Sequence, residues 1–399
     1  MDLTISADTI DYLFTSATAN TQAKMDSLAG TILGQGIDYF TDENYAQAIK
    51  CFKQAAALSP QSDNSSSAYD YLGQSYVKLE DTDNAIKTYK EAIRLYPTDD
   101  TFYTALGDLY MGEDMLDEAT AAYEKSVAIN PNDAESQYSL GQCYLQSGEL
   151  DKAKDKFKEV VRISPTSGSG YYGLGQVARA DGDLNEAVSL LTRAQSVDQD
   201  FELAYLELGY AYADLGEFNK AEDQLTTLEA NDSDYTTDLE NYIAQATPPE
   251  ITSAYSSNGF DTDLGPKTEV SELSSKLTEA NKSKLFSMNV TFSKDMDALS
   301  VITSKNWTIS RATLRNNGGI YNYGLIPSSS EASIASTPAF VTFDEDSDTA
   351  TVYFRISQNA TADATIDPEH IVFKFSGIDA YGKAMDTSAD EYAGFSGVA

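Results

Sequence analysis

The chain has 399 residues, which corresponds to two or three domains of ordinary size. Its 27 Lys and Arg stand against 63 Asp and Glu, a formal net charge of -36. We therefore expect no nucleic-acid partner, and anionic lipid is a poor partner, because both attract extended cationic surfaces. A hydrophobic share of 41% is too high for a disordered chain, and since no apolar stretch is long enough for a bilayer we expect no membrane insertion.

Residues 1–28 form an N-terminal arm. Before Lys24 the arm has three Asp and no Lys or Arg, a pattern that does not fit a cleavable secretory signal. Its first apolar residues alternate as in a strand and the later ones have helical spacing. Two interpretations are open: a helix that caps the first repeat, or an arm that docks on a second copy of the chain and, by head-to-tail contacts, builds a filament. The candidate self-association residues are Leu3, Ile5, Ile10, Leu13 and Phe14.

Residues 29–247 contain a repeated pattern in which a Pro is preceded by Gly at 24 residues, by Ala at 12 and by Phe or Tyr at 8. The four complete copies have Gly36, Gly73, Gly107 and Gly141, followed by the aromatics Phe52, Tyr89, Tyr123 and Phe157. Two further copies, without the Pro, begin around Gly175 and Gly209. The apolar spacing predicts two helices per copy, with Gly at their contact, the aromatic filling the gap to the next hairpin and Pro ending the second helix.

The segments "YDYLGQSYVKLEDTDNAIKTYKEAIRLYP" and "SQYSLGQCYLQSGELDKAKDKFKEVVRISP" resemble the tetratricopeptide repeat family. The resemblance implies a right-handed α-solenoid of six helix hairpins, whose first helices line a concave groove that binds protein. After the sixth hairpin, Tyr235 to Ala246 resembles a capping helix. Leu33 and Ile37 stand where chaperone-docking members have a polar clamp, so that function is not expected.

Carrying the groove positions over gives eight candidate protein-binding residues. They are Asp70, Gln74, Tyr138, Gln142, Tyr172, Gln176, Arg179 and Tyr210. Amide and phenol groups can bond the backbone of an extended peptide. The alternative is that these residues are simply solvated.

Residues 248–399 change character after Pro248 and Pro249. Apolar and polar residues alternate in "LFSMNVTFS", "NWTISRATL", "AFVTFDED", "TATVYFRIS" and "HIVFKFSGI", which predicts an antiparallel β-sandwich with a hairpin formed by residues 339–344 and 349–357. The segments "NVTFSKDMDALSVITSKNWTIS" and "GIDAYGKAMD" resemble bacterial Ig-like domains of surface-layer and adhesin proteins. The expected fold class is therefore multidomain α + β, an α-solenoid followed by an Ig-like β-sandwich.

No catalytic constellation is evident, and we expect no enzyme and no cofactor. Cys51 and Cys143 lie in different repeats and are expected to be free and buried. His370 is the only histidine, so a metal site or Ser-His-Asp relay is not expected and a surface or strand-edge position is. Residues 168–173 match Gly-x-Gly-x-x-Gly without the preceding strand that phosphate binding needs. The acidic turn is either solvated or a weak Ca2+ site formed by Asp344, Asp346 and Asp348.

These observations favour a non-enzymatic structural or scaffolding protein that acts through protein partners. We expect it to form a homo-oligomer or filament at or outside the bacterial cell surface, exported without a cleaved N-terminal signal. The alternative is a cytoplasmic adaptor or assembly factor that binds a client peptide in the groove, which the two unpaired Cys favour. A carbohydrate-active enzyme with an accessory β-domain is the third interpretation.

Overall fold

The computed structural model describes residues 7–60, 62–313, 319–325 and 329–393, and the side chains of residues 7–20 and 393 lie outside the described part. The chain divides into two compact units. The first runs to Leu215 and includes Asp223–Thr236, and the second comprises Gly216–Glu222 and the chain from Thr237 onward. In the part of the chain that the structure describes, no helix has the length and apolar character needed to cross a membrane.

Within the described residues, the helical part consists of six consecutive helix pairs and one further helix. The pairs are α1 (Ala7–Thr41) with α2 (Tyr45–Leu58), α3 (Asp63–Lys78) with α4 (Thr82–Leu95), α5 (Asp100–Gly112) with α6 (Leu116–Ile129), α7 (Ala134–Gln146) with α8 (Leu150–Ile163), α9 (Ser169–Asp181) with α10 (Leu184–Val197), and α11 (Glu202–Asp214) with α12 (Phe218–Ala230); α13 (Thr236–Ala246) follows. This is the helical solenoid that the repeat pattern predicts.

The repeated residues explain the helix ends and contacts. Helices α2, α4, α6 and α8 each end two residues before the Pro of the pattern. A Cβ atom on Gly107 would lie 2.6 Å from the Tyr123 ring, and one on Gly141 2.7 Å from the Phe157 ring. The aromatic therefore packs on the Gly of its own hairpin. Phe157 also contacts Gly173 of the next hairpin, so a single ring fills both spaces.

Residues 7–28 of the N-terminal arm and the first helix of the first hairpin form one continuous helix. α1 begins at Ala7, and Ala29 is the first buried residue among its described side chains. More than half of α1 therefore precedes the part that packs into the hairpin core. Residues 21–28 make a few polar contacts, such as the bond that Gln22 Nε2 donates to Ser59 Oγ at 3.0 Å. The strand-like alternation of Leu3 and Ile5 lies outside the described residues.

The β region has ten strands and two short helices in the part that the structure describes. In chain order they are β1 (Ile251–Ser256), β2 (Thr268–Glu269), α14 (Val270–Leu273), β3 (Ser283–Phe292), α15 (Ala298–Ile302), β4 (Trp307–Arg311), β5 (Ser333–Ile334), β6 (Phe340–Asp344), β7 (Thr349–Ser357), β8 (Thr365–Ile366), β9 (Ile371–Phe375) and β10 (Glu391–Ala393). The predicted hairpin is present as β6 and β7, with Asp344 opposite Thr349.

The strand pairs that the structure describes are all antiparallel and form three sheets. The largest has the order β1-β3-β7, with both β5 and β6 also paired to β7; the others are β10-β9-β4 and β2-β8. The expected Ig-like sandwich is not confirmed, because the largest sheet curls into a half-barrel. The two larger sheets nevertheless share one core: the ring centroids of Phe354 and Phe373 lie 5.1 Å apart, and Trp307 is fully buried.

Helix α13 ends on the β region. The Lys294 ammonium donates to the carbonyl oxygens of Ala244 and, at 2.9 Å, Thr247, where the helix ends. The same ammonium lies 2.7 Å from Oδ2 of Asp379, whose side chain has no solvent exposure. A buried ion pair therefore holds the end of α13, and most of this helix belongs to the second unit.

Candidate protein-binding surface

The eight groove candidates occupy equivalent positions on the first helices of the hairpins. Each of them lies three residues before, one residue after or four residues after the Gly of the repeat pattern in α3, α7, α9 or α11. We call the surface that they form the first-helix face: Asp70, Gln74, Tyr138, Gln142, Tyr172, Gln176, Arg179 and Tyr210. The structure brings these residues into three hydrogen-bonded groups.

The central group is a ladder that joins two repeats. Within α7, Gln142 Nε2 donates to the Tyr138 hydroxyl at 2.9 Å, and within α9, Gln176 Nε2 donates to the Tyr172 hydroxyl at 2.9 Å. Gln142 Nε2 also donates to Gln176 Oε1 at 2.9 Å across the 34-residue repeat. Both Gln142 amide protons are therefore used, while its Oε1 remains an acceptor without a donor among the described residues. Burial raises the pKa of Tyr138 and of Tyr172, so both phenols stay protonated and can donate.

The second group is acidic. Gln74 Nε2 donates to Asp70 Oδ2 at 3.0 Å, and the Tyr123 hydroxyl donates to Asp108 Oδ1 at 2.5 Å. Burial raises the pKa of both carboxyl groups despite these bonds. Asp108 was not among the predicted site residues, although it follows Gly107 as Gln74 follows Gly73. The repeat spacing alone could have identified it.

The third group neutralises the single cation of the face. Arg179 Nη1 lies 3.1 Å from Glu207 Oε1, and Arg179 Nε lies 2.7 Å from Asp214 Oδ2. Its guanidinium stacks 5.1 Å from the Tyr210 ring centroid. Glu207 is only 8% exposed, so the pair fixes Arg179 rather than leaving it free for a ligand. Sequence reasoning found Arg179 and Tyr210 but missed the two acidic partners.

The remaining candidates lie elsewhere. Leu3 and Ile5 lie outside the described residues; Ile10, Leu13 and Phe14 belong to α1, and their side chains lie outside the described part. Cys51 and Cys143 are both free, and burial raises the pKa of the Cys143 thiol. Cys51 is only half-buried, contrary to expectation.

The acidic turn lies between β6 and β7. Asp344 accepts bonds from the Asp346 N–H at 3.3 Å and from the Ser347 hydroxyl at 2.8 Å. Burial, with a smaller contribution from Asp295, raises the pKa of Asp348. The weak Ca2+ site at this turn stays a prediction.

Of the two positions predicted for His370, the surface is wrong, because this residue is only 8% exposed, whereas the strand edge agrees with its place directly before β9. Its Nδ1 lies 2.9 Å from Oδ2 of Asp367, which also accepts the Asn322 N–H at 2.6 Å. Asp367, Glu369 and His370 are the only three metal-ligating groups in the described part whose ligand atoms all lie within 4.8 Å of one another. Since the carboxylate and Nδ1 already satisfy each other, this cluster is explained as a hydrogen-bonded turn. Its sequence signal, Asp-Pro-Glu-His before a strand, did not reveal the burial.

Family models of the tetratricopeptide repeat match residues 28–98, 71–134, 110–176 and 178–245. No curated protein matches the chain.

Solved structures with a similar fold include a tetratricopeptide repeat protein from Parabacteroides merdae ATCC 43184, at 16% identity, with 55% of this chain and 85% of that chain covered and a TM-score of 0.49. Another is YrrB, described as a TPR protein with an unusual peptide-binding site, at 22% identity, 48% and 95% coverage and a TM-score of 0.39. A third is MamA from Desulfovibrio magneticus RS-1, at 19% identity, 45% and 97% coverage and a TM-score of 0.39.

Proposed function

The chain belongs to the tetratricopeptide repeat family through residues 28–176 and 178–245, and we propose that it is a non-enzymatic scaffold whose first-helix face binds an extended peptide of a protein partner. Proteins of this family mediate protein–protein interactions. The observation that carries the proposal is the ladder of Tyr138, Gln142, Gln176 and Tyr172. It holds one amide oxygen and two phenol protons at fixed positions, and these complement the N–H and C=O groups of a peptide backbone.

The acidic group supports a preference for a peptide with a basic side chain. Asp70 and Asp108 lie on the neighbouring helices α3 and α5. Burial raises the pKa of Tyr89, and both carboxylates raise it further because they lie near this phenol. Neither carboxylate has an ion-pair partner among the described residues. A Lys or Arg of the peptide placed here would restore the stabilisation that these carboxylates lose on leaving water.

Selection of peptides from a random library against the full chain tests the groove. Peptides that bind should carry Lys or Arg, and their affinity, measured by isothermal titration calorimetry, should fall at least about tenfold in Gln142→Leu and in Asp70→Asn. Gln54→Leu, a change of an exposed Gln on α2, is the matched control and should leave the affinity unchanged. Selected peptides that bind the three variants equally would refute the assignment of the groove.

We also propose that the protein self-associates through the arm, with Leu3, Ile5, Ile10, Leu13 and Phe14 at the contact, as a homo-oligomer or head-to-tail filament at or outside the cell surface. The long part of α1 that precedes Ala29 supports an arm that reaches another copy. Multi-angle light scattering measures the association, and protease treatment of intact cells distinguishes a surface location from the interior.

The second candidate function is a cytoplasmic adaptor for a client peptide. The free Cys51 and Cys143 favour it, since unpaired thiols are typical of reducing compartments. Protection of the protein in intact, protease-treated cells would favour this candidate.

For the β region we propose an Ig-like sandwich that presents or anchors the helical unit. The core shared by the two larger sheets supports it: Phe292 of β3 packs on Phe375 of β9 with ring centroids 5.2 Å apart. An experimental structure of this region tests the sandwich topology.

A further inference from the structure

A cleft of about 580 Å3 opens between α2 and α4 in the first two hairpins, and none of the eight residues of the first-helix face lines it. Its floor is aromatic and aliphatic, with Tyr69, Leu72 and Tyr76 of α3. Its rim carries three cations, Lys53 from α2 and Lys87 and Arg94 from α4. A volume of this size is sufficient for several side chains of a partner.

The three cations are free to meet a partner. Lys53, Lys87 and Arg94 are exposed, and none of them forms an ion pair within the described part of the chain. Lys53 lies 5.4 Å from the Tyr76 ring centroid, which keeps its charge beside the floor of the cleft. Among the described residues that line the cleft, Glu91 is the single acidic one, and it accepts a hydrogen bond from Tyr69 at 3.1 Å. The cleft is therefore a basic site on a chain whose net charge is -36.

The N-terminal arm has the complementary chemistry. Residues 1–20 contain Asp2, Asp8 and Asp11, no Lys or Arg, and the apolar side chains that the cleft floor would cover. Residues 7–28 of the arm cannot fold back onto the cleft of their own chain, because they belong to α1, one unbroken helix from Ala7 to Thr41. An arm that occupies the cleft must then come from another molecule.

We propose that residues 1–20 of a second copy of this chain bind in the cleft between α2 and α4. The Asp residues of the arm meet Lys53, Lys87 and Arg94, while its apolar residues pack on Tyr69, Leu72 and Tyr76. The contact is heterologous: arm and cleft are different surfaces, so each bound copy still offers a free arm or a free cleft. This inference rests on the self-association proposed above and assigns it a receptor.

Two measurements on the full chain test it at constant ionic strength. Sedimentation velocity reports self-association, and fluorescence anisotropy reports binding of a labelled peptide with the sequence of residues 1–20. Lys87→Glu should weaken both by about fivefold, because it replaces an attraction at the rim by a repulsion. Lys125→Glu is the matched control: it makes the same charge change at an exposed residue of α6, and it should alter neither self-association nor peptide binding. Thermal melts followed by circular dichroism check that both variants fold.

A charge exchange separates the possible outcomes. A peptide of residues 1–20 with Asp8→Lys and Asp11→Lys should bind the protein variant Lys53→Glu/Lys87→Glu more tightly than it binds the parent protein. Peptide binding and association that respond equally to Lys87→Glu and Lys125→Glu would overturn the cleft as receptor and leave arm-mediated self-association in place. A full chain that stays monomeric at all concentrations and does not bind the peptide would overturn both.

Discussion

Replacing Lys294 by Met should destabilise the β region by about 3–5 kcal/mol, the usual cost of leaving one partner of a buried ion pair without its counter-charge. Asp379 is fully buried and Lys294 is 15% exposed, so water cannot replace the ammonium at Oδ2. The other oxygen, Oδ1, keeps the N–H groups of Tyr381 and Lys383 at 2.9 and 2.7 Å. The carbonyls of Ala244 and Thr247 at the end of α13 lose their donor as well.

The assay uses the single tryptophan. Trp307 is fully buried in the core of the β region, so its fluorescence during urea unfolding reports on that region alone, whereas circular dichroism at 222 nm is dominated by the helices. Lys294→Met should lower the fluorescence midpoint and leave the main dichroism transition nearly unchanged.

The double variant Lys294→Met/Asp379→Asn tests the cause. Removing both charges should recover much of the loss, because no buried charge is then left unpaired. A loss below about 1 kcal/mol in Lys294→Met, or a double variant whose loss equals the sum of the two single losses, would refute the reasoning.

Gly141→Ala should destabilise the helical unit by about 1–3 kcal/mol in thermal melts, because its methyl group would lie 2.7 Å from the Phe157 ring. Gly112→Ala is the control: nothing lies within 4 Å of the added methyl group, and this change should be neutral or stabilising. Asp70→Asn should raise the urea midpoint of the helical unit at pH 7. Burial raises the pKa of Asp70 in the folded chain, which means that the folded chain is more stable when Asp70 is protonated than when it is ionised. The free energy of unfolding of the parent protein should therefore increase as the pH falls through the folded pKa of Asp70. The difference between parent and Asp70→Asn should then disappear below the usual carboxyl pKa of about 4, and a difference independent of pH would contradict this explanation. Ca2+ should raise the urea midpoint of Trp307 fluorescence if the turn of Asp344, Asp346 and Asp348 binds it, and Asp346→Asn/Asp348→Asn should abolish the increase; an equal response to Mg2+ would indicate screening instead.

The helical half was predictable because its signals are local and repeated. Each Pro marks a helix end, and each pair of Gly and aromatic residue marks a close contact between two helices. The same spacing selected the residues of the ladder. It did not reveal that Gln142 and Gln176 bond to each other, because that contact depends on how two consecutive repeats stack.

The β half was predictable where a strand is long enough for its residues to alternate. The periodicity identified β3, β4, β6, β7 and β9, whereas the two-residue strands β2, β5 and β8 carry too few residues to show a period. Burial of His370 and the pairing of Lys294 with Asp379 involve contacts that no local pattern encodes. The change of composition at Pro248 likewise hides the attachment of α13 to the strands that follow it.

That attachment bears on how the gene could have been assembled. Consider a recombination event with its breakpoint at Pro248 and Pro249 that moves the coding sequence for the strands into another protein. It would leave behind α13, at whose end the backbone carbonyls accept hydrogen bonds from the Lys294 ammonium. Transfers that keep the module intact must take the thirteenth helix along, so its inheritance should follow the strands rather than the repeats.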